Sequence, residues 1–145
     1  MKIIRGQEID EALKDNLRVY LCGDLKQENG LRHIPTGGYE IGISEYDGFT
    51  FEKAHYHSFN TEFNYVLEGA VKILLLSEGR ELEFHKGDLF VIEVNEPYVG
   101  KSLGGTRTIF SKTPGGNDKV LVETDEAVLA WGESWEAAYR EEALP

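Results

Sequence analysis

The sequence predicts an all-β fold, an antiparallel sandwich or barrel with short helical elaborations at the N- and C-termini. Stretches in which apolar and polar residues alternate recur from Tyr39 to Glu123. Turn signals such as Asp47-Gly48, Glu68-Gly69 and Lys86-Gly87 separate them at near-regular spacing. Helical spacing is confined to two short stretches near the chain ends. Short strands punctuated in this way are the pattern of antiparallel all-β domains.

Residues 7–16 read as a short helix, because Ile9 and Leu13 recur at helical spacing and acids cluster toward the start. Residues 18–21 read as a strand. The polar, glycine-rich stretch 23–38, with Pro35, reads as a long loop whose His33 is expected at the surface. From residue 39 the period becomes that of a strand, with Tyr39, Ile41 and Ile43 on one face against Glu40, Gly42 and Ser44. Residues 49–57 form the next strand and 62–67 the one after it. Parity there places Asn64 and Val66 on the Glu62 face, with Phe63, Tyr65 and Leu67 opposite. In 71–76, Val71, Ile73 and Leu75 are expected inside and Lys72 in solvent. Residues 81–84 alternate with their acids outward, and His85, just before a turn, is expected in solvent. Residues 89–94 are nearly all apolar, as in a strand buried on both faces. Strands recur at 106–112 and 119–123, separated by the breaker-rich stretch 113–118, expected to be mobile. Ser134 is a suitable N-cap for a last helix over 135–143.

With 145 residues, 41% hydrophobic and 28% charged, the chain suits a single soluble domain. Its net charge of −11 argues against electrostatic binding of nucleic acid or of an anionic membrane. A locally basic pocket would still accept a carboxylated or phosphorylated ligand. The single cysteine, Cys22, excludes an intrachain disulfide, and its apolar neighbours favour a buried, inert thiol. No stretch approaches the ~18 apolar residues of a membrane span. The first six residues lack a signal-peptide run, so a cytoplasmic location is expected.

The segment 48–69 carries the chemistry. His55 and His57 are two residues apart, so on a strand both imidazoles point to one face. Glu62 follows after a link short enough for the chain to reverse and pair antiparallel, which would return the carboxylate to the imidazoles. Two neutral imidazoles and a carboxylate form a facial set that holds divalent metals with coordination positions open. The same side chains also suit a polar, metal-free pocket. Lys53 shares the histidine face by parity and is a candidate anion contact, unless a bulge turns it to solvent. Arg107 is a second candidate.

The run Gly48, six residues, His55-x-His57, four residues, Glu62, six residues, Gly69 resembles the first signature motif of the cupins, with one residue more than usual before His55. A second cupin-like motif is traceable from Gly87. Glu93 takes its proline position and Asn95 its glycine position, and asparagine tolerates a left-handed turn. Tyr98 stands where the family's fourth ligand, a histidine, is usual, and Ser102 replaces a final asparagine. The resemblance spans about residues 39–124. It implies a double-stranded β-helix, or jelly roll, with a central pocket and, in many members, a metal. Under that resemblance His55, His57 and Glu62 are the expected ligands of a divalent ion such as Mn, Fe, Ni or Zn. Tyr98 stays open to three readings: a poor metal ligand, a general acid or base, or a space-filling side chain with one hydrogen bond.

Three functions are compatible with these residues. One is a metal-dependent protein acting on a small carbonyl-, carboxylate- or sugar-type ligand. Another is a metal-independent sugar or sugar-nucleotide isomerase or epimerase, with His55 or His57 and Tyr98 as base and acid. The third is a non-catalytic binding or sensing domain. Asn64, Lys53 and Arg107 are the expected ligand contacts, and neither nucleic acid nor membrane is an expected partner. A homodimer is expected, because an outward face bearing Phe63, Tyr65, Leu67, Leu74 and Leu76 needs a cover.

Overall fold

Alternating side-chain direction along short strands builds two facing sheets in the computed structural model, which describes residues 1–26 and 30–140. Helix α1 (Gly6–Leu13) precedes β1 (Arg18–Gly23), β2 (Ile34–Pro35), β3 (Glu40–Tyr46), β4 (Thr50–Phe51), β5 (His55–His57) and β6 (Thr61–Glu68). Next come β7 (Ala70–Leu75), β8 (Arg80–His85), β9 (Leu89–Ile92), β10 (Tyr98–Ser102), β11 (Thr106–Thr113), β12 (Lys119–Leu121) and α2 (Glu126–Trp131). One sheet has the order β2-β1-β3-β11-β6-β9 and the other β12-β5-β10-β7-β8, with β4 added beside β10. All pairings are antiparallel except β1 with β2. The all-β double-stranded β-helix expected from the sequence is the observed fold. Among the described residues no helix is long and apolar enough to cross a membrane.

The interior has an apolar part and a polar part. Val66, Val71, Ile73, Leu75 and Ile92 pack with the ring of Tyr98, following the parity of β6, β7 and β9. Outside, α1 lays Ala12, Ile9 and Leu13 on Val19 and Ile43. The Ile face of β3 therefore packs outward on α1, and its small and polar face, Gly42 and Ser44, lines the barrel. A Cβ on Gly42 would run into the Phe110 ring, so the close approach of β3 to that ring needs glycine. On the other sheet, α2 packs Val128 and Trp131 onto Leu74, Val99 and Ala54.

Four expectations are corrected here. Residues 49–57 are not one strand, because the chain breaks between β4 and β5. The strand β9 is buried on one face only: it is the last strand of its sheet, and Leu89 and Val91 are 60% and 41% exposed. The stretch 113–118 is tied down, since Gly116 N–H donates to Glu40 Oε1 (2.8 Å) and Asn60 Nδ2 donates to the Gly116 carbonyl (3.2 Å). The last helix lies at Glu126–Trp131, capped by Asp125 accepting from Val128 N–H (3.0 Å), and 135–140 are not helical. Residues 141–143 of the expected helix lie outside the described residues.

The reason for that last difference is Lys101. Its side chain is buried, and its Nζ donates to the carbonyls of Trp131 (2.7 Å), Ser134 (2.9 Å) and Ala137 (2.8 Å) while standing 4.2 Å above the Trp131 ring. A helix continued past Trp131 would direct these carbonyls into its own ladder instead. Lys72, expected in solvent, does related work: its Nζ donates to the Trp135 carbonyl (2.8 Å) and lies 4.4 Å over that ring. Ser134 caps only a turn, accepting from Ala137 N–H at 3.2 Å.

Replacing Lys101 by Met keeps the stem but strands these buried carbonyls. Urea denaturation of Lys101→Met is expected to show a loss of about 1–3 kcal/mol, the cost of unsatisfied buried acceptors. Amide exchange at Gly132 and Glu133 should quicken as the segment loosens. An unchanged midpoint and unchanged exchange would contradict the assignment.

Candidate active site

His55 and His57 lie on β5, between β10 and β12. Glu62 lies on β6, in the opposite sheet. The expected hairpin between them is therefore corrected, because β5 and β6 do not pair. The link carries the chain across from one sheet to the other, and the imidazoles and the carboxylate meet face to face in the interior. The buried carboxylate of Asp118 enforces this crossing. Its Oδ2 accepts the backbone N–H groups of Phe59 (2.9 Å) and Asn60 (2.8 Å), and its Oδ1 accepts Asn60 Nδ2 (2.7 Å).

The same Oδ1 lies 2.7 Å from His57 Nδ1. On the other side of the ring, His57 Nε2 is 2.9 Å from Glu62 Oε2, off the line of a well-aligned hydrogen bond. Tyr98 donates its hydroxyl to that same Glu62 oxygen at 3.2 Å. Tyr98 is also the cross-strand partner of His55, and their ring centres are 4.5 Å apart. His55 Nδ1 lies 2.8 Å from the Lys53 carbonyl, which only accepts. Nδ1 therefore carries the proton, and a neutral His55 keeps its lone pair on Nε2.

The two imidazoles are tuned in opposite directions. Burial drives His55 down to about 4, so it is neutral near pH 7. Burial also opposes charge on His57, but Glu62 and Asp118 outweigh it and hold its pKa above the ordinary value. Glu62 is pushed up by burial, yet His57, Arg18 and Lys112 bring it down to about 2. Burial and then Glu62 raise the Tyr98 phenol well above its usual range, so it stays protonated.

A cavity of about 250 Å³ opens onto His55, His57, Glu62 and Tyr98, and a smaller recess containing Asn64 continues from it toward the apolar core. The other two expected ligand contacts do not reach it. Lys53 is exposed, because the break after β4 turns Thr50 and Glu52 inward and resets the parity before His55. Arg107 lies on the outer side, paired with Asp10 (3.1 Å) and Glu45 (3.6 Å). In their place the cavity is lined by Arg18, Glu52, Lys112 and Lys119. Lys112 was legible, since Thr108, Phe110 and Lys112 alternate along one strand. Glu52 needed the strand break, and Arg18 and Asp118 carry no local signal.

The imidazoles suit a divalent metal. Each has Nδ1 satisfied from behind, which leaves His55 Nε2 with its lone pair, while His57 Nε2 faces Glu62 at 2.9 Å. Glu62 would join them only by giving up its contacts with His57 and Tyr98. Among the described residues no three His, Cys, Asp or Glu side chains converge as a metal-holding group.

A family model described as "Cupin domain" matches residues 43–109. A search of proteins of curated function finds no match. KdgF from Halomonas sp. is 23% identical with a TM-score of 0.51, over 57% of this chain and 74% of that one. The polyketide cyclase RemF from Streptomyces resistomycificus is 22% identical with a TM-score of 0.54, over 68% and 70%. The nucleoside dehydratase Pac13 from Streptomyces is 13% identical with a TM-score of 0.52, over 60% and 70%. These likenesses speak to the fold. The matched stretch, residues 43–109, runs from within β3 to within β11 and so covers the middle of the barrel, short of half the chain.

Two pH-dependent behaviours are expected. In a proton NMR titration, the His55 ring should titrate near 4 and the His57 ring above 6.5. The His57–Glu62 attraction stabilises the fold most between Glu62's low pKa and His57's raised one. It is lost as pH rises through the His57 value, where the imidazolium deprotonates, and as pH falls toward 2, where Glu62 protonates. Asp118→Asn should lower the His57 value and cost about 1.5–3 kcal/mol, typical of hydrogen bonds to a charged group. Coincident titration of the two rings would contradict this account.

Proposed function

We propose that the cavity carries out acid–base chemistry on a small carbonyl-, carboxylate- or sugar-type compound, with His55, His57 and Tyr98 as the working groups. The observation that supports this reading is the opposed tuning of two adjacent imidazoles. Environments that push neighbouring pKa values apart assign one group as acid and the other as base. His57, backed by Asp118, donates its Nε2 proton to a ligand carbonyl oxygen. The neutral Nε2 of His55 takes the proton from the carbon next to that carbonyl. As the C–H bond breaks, its electron pair forms the C=C bond of an enol, and the carbonyl oxygen keeps the proton from His57. Protonation of that oxygen acidifies the carbon, which lets a base as weak as His55 act. Tyr98, held protonated, donates a hydrogen bond to the same oxygen after leaving Glu62. Return of the proton to the former carbonyl carbon, with the neighbouring hydroxyl giving its proton to His57, isomerises a hydroxy-carbonyl ligand and restores both imidazoles. Return to the opposite face epimerises it.

A second reading rests on the tautomers of the two histidines. Once His57 has lost its proton, His55 Nε2, His57 Nε2 and Glu62 would hold a divalent ion such as Mn, Fe, Ni or Zn. That ion would supply Lewis-acid polarisation of a ligand oxygen. A cytoplasmic location and a homodimer belong to the same proposal. Phe63, Tyr65, Leu89 and Val91 leave one outer strip exposed, whereas Leu74 is buried under α2 and Leu76 packs partly buried against the same cluster. Light scattering at micromolar concentration should then give twice the chain mass.

The chemistry is tested by deuterium uptake from D2O into a panel of hydroxy-aldehydes, hydroxy-ketones and sugar acids, followed by NMR. Uptake should survive chelator and fall about 10²–10⁴-fold in His57→Gln, the usual weight of a general acid. Tyr98→Phe should slow it without changing ligand binding. The rate should fall below about pH 4 as His55 protonates, and above the raised His57 value as the imidazolium is lost. Loss of uptake with chelator, restored by one metal, would favour the second reading. Binding without uptake under every metal would leave a non-catalytic domain.

A further inference from the structure

The chain carries a net charge of −11, yet Arg18, Lys112 and Lys119 all line the one cavity that holds the histidines. None of the three forms an ion pair among the described residues. Lys112 is only 8% exposed and stands directly across the strand pair from Glu62, but makes no hydrogen bond to it. Its ammonium lines the cavity and, among the described residues, makes no ion pair there, so it is open to an anionic ligand group. Lys119 occupies the matching place beside His57, where β12 pairs with β5, and is exposed at the rim.

Arg18 is held still from two sides. Its Nε donates to Ser44 Oγ at 3.0 Å, and its guanidinium carbon lies 4.2 Å over the Phe110 ring. A stacked, tethered guanidinium keeps its planar fork pre-set for a carboxylate or phosphate. Two carboxylates share the cavity. Glu62 is already engaged by His57 and Tyr98. Among the described residues Glu52 has no side-chain hydrogen-bond or ion-pair partner, and it fits only because Gly100 has no side chain: a Cβ there would stand 2.6 Å from Glu52 Oε1. Burial and then Glu62 raise the Glu52 pKa, and even with both carboxylates charged the three cationic side chains outnumber them.

We propose that this cavity selects an anionic small molecule, taking its carboxylate or phosphate group at the wall formed by Arg18, Lys112 and Lys119, with Glu52 hydrogen-bonding a hydroxyl of the same ligand. This deepens the functional reading above and rests on the same cavity, but it concerns binding and stands apart from any turnover.

Calorimetric titration of the full chain at low ionic strength tests it, with gluconate, glucose 6-phosphate and neutral glucose as probes. At least one anion should bind tenfold or more tightly than glucose, and its affinity should fall as NaCl is added. Which anion binds better tells a carboxylate site from a phosphate site. Arg18→Gln and Lys112→Gln should each weaken that anion tenfold or more, whereas Lys53→Gln, the same change of charge outside the cavity, should not. If Arg18→Gln fails to fold, Lys112→Gln decides. Glucose binding as tightly as the anions, no binding of either anion, or unchanged affinity in Lys112→Gln would overturn the proposal. Anion binding without deuterium uptake would retain it while removing the acid–base reading.

Discussion

The buried carboxylate of Asp118 is the constraint on which the site depends. It accepts the backbone N–H groups of Phe59 and Asn60 and the Asn60 side chain, and it faces His57 Nδ1. Burial opposes its charge, but the Phe59 N–H, His57 and the Asn60 N–H overcome it and leave its pKa below the usual range. One group thus does two things. It turns the chain from β5 in one sheet to β6 in the other, and it fixes the orientation and charge of His57. Position and chemistry are coupled because the same four partners satisfy one carboxylate.

Around that point the barrel separates its work by region. Aliphatic side chains of β6, β7 and β9 fill one part of the interior, so the polar part is a shaped cavity and not a collapsed core. Tyr98 stands at the boundary, with its ring in the apolar cluster and its hydroxyl on Glu62. The outer faces are covered by α1 and by α2, the latter anchored through Lys101. Two lysines that sequence position alone would leave in water, Lys72 and Lys101, hold the carbonyls of the C-terminal segment.

Charge in the cavity follows the same economy of partners. Glu62, opposed by burial, is drawn low by His57, Arg18 and Lys112, and in return helps to raise the His57 pKa. His55, two positions away, meets a backbone carbonyl instead of a carboxylate, so burial prevails and brings its pKa down to about 4. Two identical side chains are therefore shifted in opposite directions by what surrounds each ring. Cupin neighbours that include a cyclase and a dehydratase show the fold carrying unlike chemistries, consistent with function residing in such local differences.

Parity and turn residues alone determined much of this protein. The period of two placed Glu62, Asn64 and Val66 on one face and Val71, Ile73 and Leu75 on another, and both sets are buried. Asn95, read as tolerant of a left-handed turn, has a φ of 64°. Spacing put His55 and His57 on one face, because local geometry directs side chains two residues apart the same way, whereas Glu62 reaches them by the crossing between sheets. Only the tertiary structure decided which sheet each belongs to, since strand partners are chosen across long separations. It also decided that Lys53 and Arg107 face outward while Arg18, Glu52 and Lys119 line the cavity. A break in parity at Glu52 and a carboxylate sixty-one positions from His57 are set by packing between distant segments, which no local pattern encodes.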